Sequence, residues 1–287
     1  MTQLRQRMIE DMQLRGLSEQ TQSAYVTAVR QLAEHYNKSP AQITERELRQ
    51  YFLYLKNEKK VSRSTCTVAL CAIKFLYVQT LGRSWPTFDL VRPPRERKVP
   101  VILSRAEVQQ VLGCLRRLRY RACLSTIYSC GLRIQEGVSL QVSHIDSSRM
   151  LIHVHQGKNG KERYVPLPPQ TLTLLRSWWV THRNPVWLFP AGVQSYQTTA
   201  TTAVHPSSVR RAFYAALAES GIQKAACVHS LRHAYATHLL EAGVNPRLIQ
   251  SYMGHSSLAT TTHYTHLTNT LEASATATIG QVLEELP

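Results

Sequence analysis

The sequence predicts a mainly α-helical protein, with an all-helical N-terminal domain and a following α+β domain that holds one small antiparallel sheet. Three observations predict it. Residues 1–90 carry four apolar patterns at helical spacing and few Gly or Pro, as a helical bundle requires. A Pro-rich basic stretch at 83–103 then interrupts the helices. Only residues 150–167 switch to a β-prone pattern, around the hairpin dipeptide Asn159-Gly160.

Taken in order, the first helix carries Leu4, Met8, Met12 and Leu14. The second runs from Ser18 to about Tyr36 through Tyr25, Val29, Leu32 and Ala33. The third, from about Thr44 to Asn57, presents Leu48, Tyr51, Phe52 and Leu55, and the fourth spans about Ser62 to Leu81. Pro86, Pro93, Pro94 and Pro100 forbid a continuous helix after that, so 83–103 reads as an extended linker, with the clustered cations Arg92, Arg95, Arg97 and Lys98 as candidate contacts for a polyanion. The second domain, 104–287, opens on Ser104 and Glu107 at capping-box spacing. Helical patterns continue to about Leu140 and return at about 169–182, 207–220, 229–242 and 246–253. Two strands, 150–156 and 162–167, flank the hairpin.

Charge points to the partner. The chain has 34 Lys and Arg against 18 Asp and Glu, a net +16, and the excess is shared: +7 in residues 1–95 and +9 in the remainder. Two basic modules facing one polyanion is the simplest account, and nucleic acid is the commonest polyanion. No apolar run approaches the ~20 residues needed to span a bilayer, and no signal peptide is readable at the N-terminus, so a cytoplasmic location is expected. Six cysteines without a CxxC pair suggest reduced thiols, mostly buried, and neither a disulfide framework nor a structural metal.

Four stretches of the second domain converge on phosphodiester chemistry: GLRIQEGVSL at 131–140, GKNGKER at 157–163, HSLRHAYATHLL at 229–240 and GHSSLATTTHYTH at 254–266. Metal-free cleavage needs permanent positive charge at the non-bridging oxygens, a proton donor for the leaving oxygen, and a nucleophile. Arg133 and Arg232 suit the first of these roles because guanidinium stays charged and matches phosphate with a planar fork. Glu136, three residues after Arg133, either pairs with it along a helix or orients a catalytic neighbour. His229 and Arg232 share one face at the first turn of a helix, where free N–H groups also favour anions. Lys158 stands at the hairpin tip, and Lys161 and Arg163 beside it are candidate phosphate contacts. The spacing of His229, His233 and His238 raises zinc, but no Glu intervenes and no Cys or carboxylate cluster supports it, so no metal is expected there. Tyr264 is the candidate nucleophile, and it needs a base or a cationic pocket to attack.

In order and type these stretches resemble the signature of the tyrosine recombinases, or phage integrase family, and the resemblance covers essentially the whole chain. It implies a helical core-binding domain that clamps DNA, a basic linker and a catalytic domain with a hairpin lysine. Position by position it implies Arg133 and Arg232 as catalytic arginines, Lys158 as the hairpin lysine, His229 as partner of Arg232, His255 at the family's His-or-Trp position, and Tyr264 as nucleophile. Glu136 matches a supporting acidic position. It further implies a 3′-phosphotyrosyl intermediate, a Holliday junction, double-stranded core sites, a synaptic tetramer, an accessory protein of unknown identity, nucleoid association, and no cofactor. With the first helix beginning almost at Met1, the compact Xer-like or integron-like type is expected, with service to a mobile element preferred. Type IB topoisomerase activity, a non-catalytic architectural protein and an RNA-binding protein are the alternatives. Residues 271–287 hold three acids, no Lys or Arg, and several apolar residues, which suits packing against this chain or a neighbouring protomer.

Overall fold

The computed structural model describes residues 2–91, 100–155, 162–192 and 197–254. Two compact units divide the chain, Met1–Lys98 and Val99–Pro287.

The first unit contains α1 (Gln3–Leu14), α2 (Glu19–Tyr36), α3 (Glu45–Leu53), α4 (Arg63–Phe75) and the short α5 (Thr87–Leu90). Side-chain oxygens of Thr2, Ser18, Thr44 and Ser62 cap the first four, accepting from N–H groups that would otherwise lack a partner. Met8, Met12, Leu32, Leu48, Tyr51, Phe52 and Leu55 meet in the core, together with Ile73, Leu76 and Tyr77 from α4 and its continuation. Leu14 departs from expectation and is 87% exposed. Six residues past Met8 it has rotated off the Met8/Met12 stripe. The third and fourth helices also end differently, each loosening into a π-helical turn, at Tyr54–Glu58 and Leu76–Thr80.

The expected extended linker is shorter than 83–103. Arg83 donates to the Ala41 carbonyl, and Trp85 and Phe88 pack on Tyr77, with ring centroids 4.5 and 6.1 Å from it. Aromatic burial folds this end onto the first unit, while Leu103 is fully buried in the second. Arg92, Arg95, Arg97 and Lys98 lie outside the described residues.

The second unit runs α6 (Arg105–Gly113), α7 (Leu118–Ser129), α8 (Ile134–Val138), β1 (Ile145–Asp146), β2 (Leu151–Val154), β3 (Arg163–Pro166), α9 (Pro169–Trp179), α10 (Pro206–Glu219), α11 (Val228–Glu241) and α12 (Pro246–Met253). The capping box at α6 forms as its sequence predicts: the Ser104 N–H donates to Glu107 at 2.7 Å and the Glu107 N–H to Ser104 Oγ at 3.2 Å. The sheet is antiparallel in the order β1-β2-β3, one strand more than the two read from the sequence. β1 pairs over only two residues, too few to show a period. In β2, Ile152 and Val154 face the core and His153 faces away. α11 is buried on almost every side, from Val228 through Leu240, and acts as the central helix against which α6, α7 and α12 pack.

All six cysteines are free. Cys66, Cys123 and Cys130 are buried, Cys114 and Cys227 partly so, and Cys71 is exposed. No helix among the described residues is long and apolar enough to cross a membrane.

Candidate active site

The site begins at a break in the helical pattern read through to Leu140. α7 stops at Ser129, and Gly131 turns the chain with φ +59°. A Cβ here would stand 2.4 Å from a carbon of the Tyr235 ring, so both conformation and space call for glycine. The turn places Arg133 at the N-cap of α8 instead of inside a helix, and Glu136 falls at the third helical position. Its carboxylate accepts the Arg133 backbone N–H at 2.7 Å and the Arg133 guanidinium at 2.7 Å.

Two more arginines reach the same carboxylate. Arg163 binds it with both terminal nitrogens, Nη1 to Oε1 at 2.9 Å and Nη2 to Oε2 at 2.7 Å. Arg232, 1% exposed on the central helix, stands 3.8 Å from Oε2. Burial alone would raise the Glu136 pKa, but the Arg163 and Arg133 contacts outweigh it and hold it near 2. Three guanidiniums around one carboxylate leave two positive charges in excess, an arrangement suited to a phosphate.

The same three arginines hold the end of α12. Arg163 Nε donates to the Tyr252 carbonyl at 2.6 Å, Arg232 Nη2 to the Met253 carbonyl, and Arg133 Nη2 to the Gly254 carbonyl at 3.2 Å. These three consecutive carbonyls belong to the helix's last turn and have no intrahelical donors of their own. Arg232 also donates to the Gly131 carbonyl, which ties the glycine turn to α11. Gly254, left-handed at φ +60°, caps α12 against the Arg163 side chain.

His229 lies at the start of α11, its ring 4.5 Å from that of His233. Desolvation, then the nearby Arg232 and Arg133 charges, lower its pKa, which favours the uncharged imidazole, the form able to take a proton. His233 is driven down to about 4 by burial and by His229 and Arg232. His238, the third member of the set that raised zinc, is bonded through Nδ1 to the Tyr128 hydroxyl at 2.9 Å.

The structure therefore brings Arg133, Glu136, His229 and Arg232 into one region. It gives Arg163 a different role. The side chain expected to contact phosphate is turned inward, 8% exposed, with its nitrogens on Glu136 and Tyr252. In the sequence it is one of several cations on a basic hairpin, and only the fold reveals the carboxylate across from it. Lys158, Lys161, His255 and Tyr264 lie outside the described residues.

Comparison with known proteins decides the family. Residues 102–270 match the phage integrase family, and residues 4–87 match the phage integrase N-terminal SAM-like domain. The chain belongs to the phage integrase family. A Sinorhizobium fredii protein assigned to the integrases/recombinases, y4qK, is 44% identical over 92% of this chain and 84% of its own. The tyrosine recombinase XerD of Oceanobacillus iheyensis is 30% identical over 88% and 90%. Among solved structures, XerA recombinase superposes with TM-score 0.54 at 28% identity, covering 96% of this chain and 97% of that one. A lambda integrase fragment bound to a core site shares the fold, with TM-score 0.72 at 16% identity over 90% and 93%. This phage integrase family member is thus a tyrosine site-specific recombinase, an enzyme that cleaves and rejoins DNA.

Proposed function

We propose that the arginine cluster built on Glu136 is the phosphate-binding half of the strand-cleavage site, and that Tyr264 is the nucleophile. One observation carries this reading: Arg133 and Arg232 share one carboxylate and hold the end of α12, ten residues before Tyr264 in the sequence. Tyr264 Oη attacks the scissile phosphorus while His229 takes its proton. The bond to the 5′ oxygen breaks, Lys158 protonates that oxygen, and a 3′-phosphotyrosyl link remains. Arg133 and Arg232 stabilise the charge that develops on the non-bridging oxygens, His255 hydrogen-bonds the phosphate, and Glu136 and Arg163 position the arginines. The covalent link conserves the phosphodiester's free energy, so reversal by a second 5′-hydroxyl rejoins DNA without a nucleotide cofactor.

Both units bind double-stranded core sites, with residues 1–90 as the core-binding domain, the stretch after Leu90 as the connecting region and 104–287 as the catalytic domain. Arg92, Arg95, Arg97, Lys98 and Lys161 supply phosphate contacts. Four protomers form the synaptic complex and pass through a Holliday junction. The enzyme works in the cytoplasm at the nucleoid, in the service of a mobile element, as relatives named integrase/recombinase support.

The test is a suicide DNA site, nicked so that cleavage is irreversible, incubated with the protein in EDTA. A covalent complex that disappears in Tyr264→Phe is expected. No complex, or one that survives the substitution, overturns the assignment.

A further inference from the structure

The described residues hold a cluster of metal-ligating side chains at the turn end of β2 and β3, on the face of the pair opposite Arg163. His153 and His155 lie on the same face of the strand, two residues apart, and Glu162 stands across from them just before β3. His153 Nε2 is 3.1 Å from one carboxylate oxygen of Glu162, and His155 Nδ1 is 3.0 Å from the other. The three ligand atoms lie within 4.8 Å of one another.

Two features make this a prearranged site and not a chance surface ion pair. The imidazoles are in ring contact, with centroids 3.7 Å apart, and His153 is stacked on Tyr164 at 4.4 Å and 14°, which fixes its orientation. Beneath them, Ile152 and Val154 anchor β2 in the core, so His153 stands on a rigid strand, with His155 one residue past its end and Glu162 one residue before β3. The spacing also suits a small ion: zinc–nitrogen bonds of about 2.1 Å at tetrahedral angles put neighbouring ligand atoms about 3.4 Å apart. The observed 3.1 and 3.0 Å separations run to different oxygens of Glu162, so the carboxylate binds the ion through both or turns to present one, a side-chain adjustment.

We infer that His153, His155 and Glu162 bind one divalent transition-metal ion of the zinc class, with a fourth position open to solvent. Two imidazoles and a carboxylate are a borderline nitrogen/oxygen donor set, which favours Zn²⁺ or Co²⁺ over Mg²⁺ or Ca²⁺. The ion takes the place of the hydrogens that now link both rings to Glu162. It links the end of β2 to the residue just before β3, at the two ends of the 156–161 segment that carries Lys158 in the sequence. The site differs from the His229, His233 and His238 set that the sequence raised, and it does not depend on the assignment of catalytic roles.

Tag-free protein titrated with Co²⁺ alone tests the inference, with the free thiols as the competing ligands to exclude. Expected are one equivalent bound, visible d–d bands without the thiolate charge-transfer band, and binding at least ~10-fold weaker in His153→Ala, His155→Ala and Glu162→Gln. With Zn²⁺ at about 100 times Kd, Tm of the wild type should rise by roughly 5–10 °C and that of the His153→Ala/His155→Ala pair should not. These substitutions lie on the outward face of the hairpin, and circular dichroism of each variant checks that it is folded. A thiolate band, no bound equivalent, or unchanged affinity in folded variants overturns the site.

Discussion

Glu136 and Arg163 form a two-pronged ion pair, each terminal nitrogen of the guanidinium on its own carboxylate oxygen, at 2.9 and 2.7 Å. The residues are 27 positions apart, one on α8 and one on β3, so the pair fastens the helical core to the hairpin. It also leaves the second face of the carboxylate to Arg133, and this geometry separates two arginines that look alike in the sequence.

Arg163→Ala should cost stability first. Both partners of the pair are nearly buried, and although Arg133 and Arg232 still face the carboxylate, Glu136 loses its two-pronged partner and the Tyr252 carbonyl its donor, a loss of about 2–4 kcal/mol. Urea unfolding should show it as a lower midpoint at unchanged slope. A loss under about 1 kcal/mol would mean that the pair does not fasten the two elements.

Arg133→Ala should do the reverse. Its side chain is 27% exposed and Glu136 keeps its other partners, so stability should fall by only about 1–2 kcal/mol. Covalent complex formation on the suicide site should fall roughly 10²–10³-fold, the usual cost of removing one donor to a developing oxyanion. The ratio of cleavage loss to stability loss should therefore rank Arg133 above Arg163.

Gly131→Ala should destabilise by about 2–4 kcal/mol, the sum of left-handed strain and a steric conflict with Tyr235. Cleavage should fall with it, because the Gly131 carbonyl orients Arg232. Gly16→Ala is the control. Gly16 has a similar φ of +66° but open space, so its cost should stay near 1 kcal/mol.

Acid should unfold the protein through two windows. His182 and His233 have folded pKa values of about 4, both depressed chiefly by burial, while the unfolded chain binds protons near the ordinary 6.5. Stability should therefore fall as pH drops from about 6.5 towards 4, by about 3 kcal/mol for His182 alone. Glu136 has its pKa lowered from 4.5 to about 2, so its contribution is complete above about 4.5 and fades below that. Urea midpoints measured across pH 4–8 should decline steadily on the acid side of 6.5. A flat profile down to pH 5 would show that the histidines are not held neutral by the fold.

Much of this is legible in the chain itself. The helix starts near Ser18, Thr44 and Ser62, the capping box at Ser104, the pairing of β2 with β3, and the bounds of α10, α11 and α12 to within a residue are local features that short-range hydrogen bonding and periodicity write into the sequence. The helical patterns up to Leu140 do not show by themselves where α7 ends and α8 begins, because the space that calls for glycine at the Gly131 turn is filled by Tyr235, about a hundred residues away. The strand at Ile145–Asp146 escapes a reading by period because its two residues are ordered only by the neighbour they pair with.

The sequence by itself determined the helical domain, the basic character of both units and the family's residue types in their order, because each follows from composition or from neighbours along the chain. Tertiary structure decided what each of three like-charged side chains faces. Arg133, Arg163 and Arg232 carry the same charge, yet one is partly open and two are buried against Glu136 and the carbonyls that end α12. A charge's role depends on what lies opposite it, and here those partners come from segments that meet only when the chain folds.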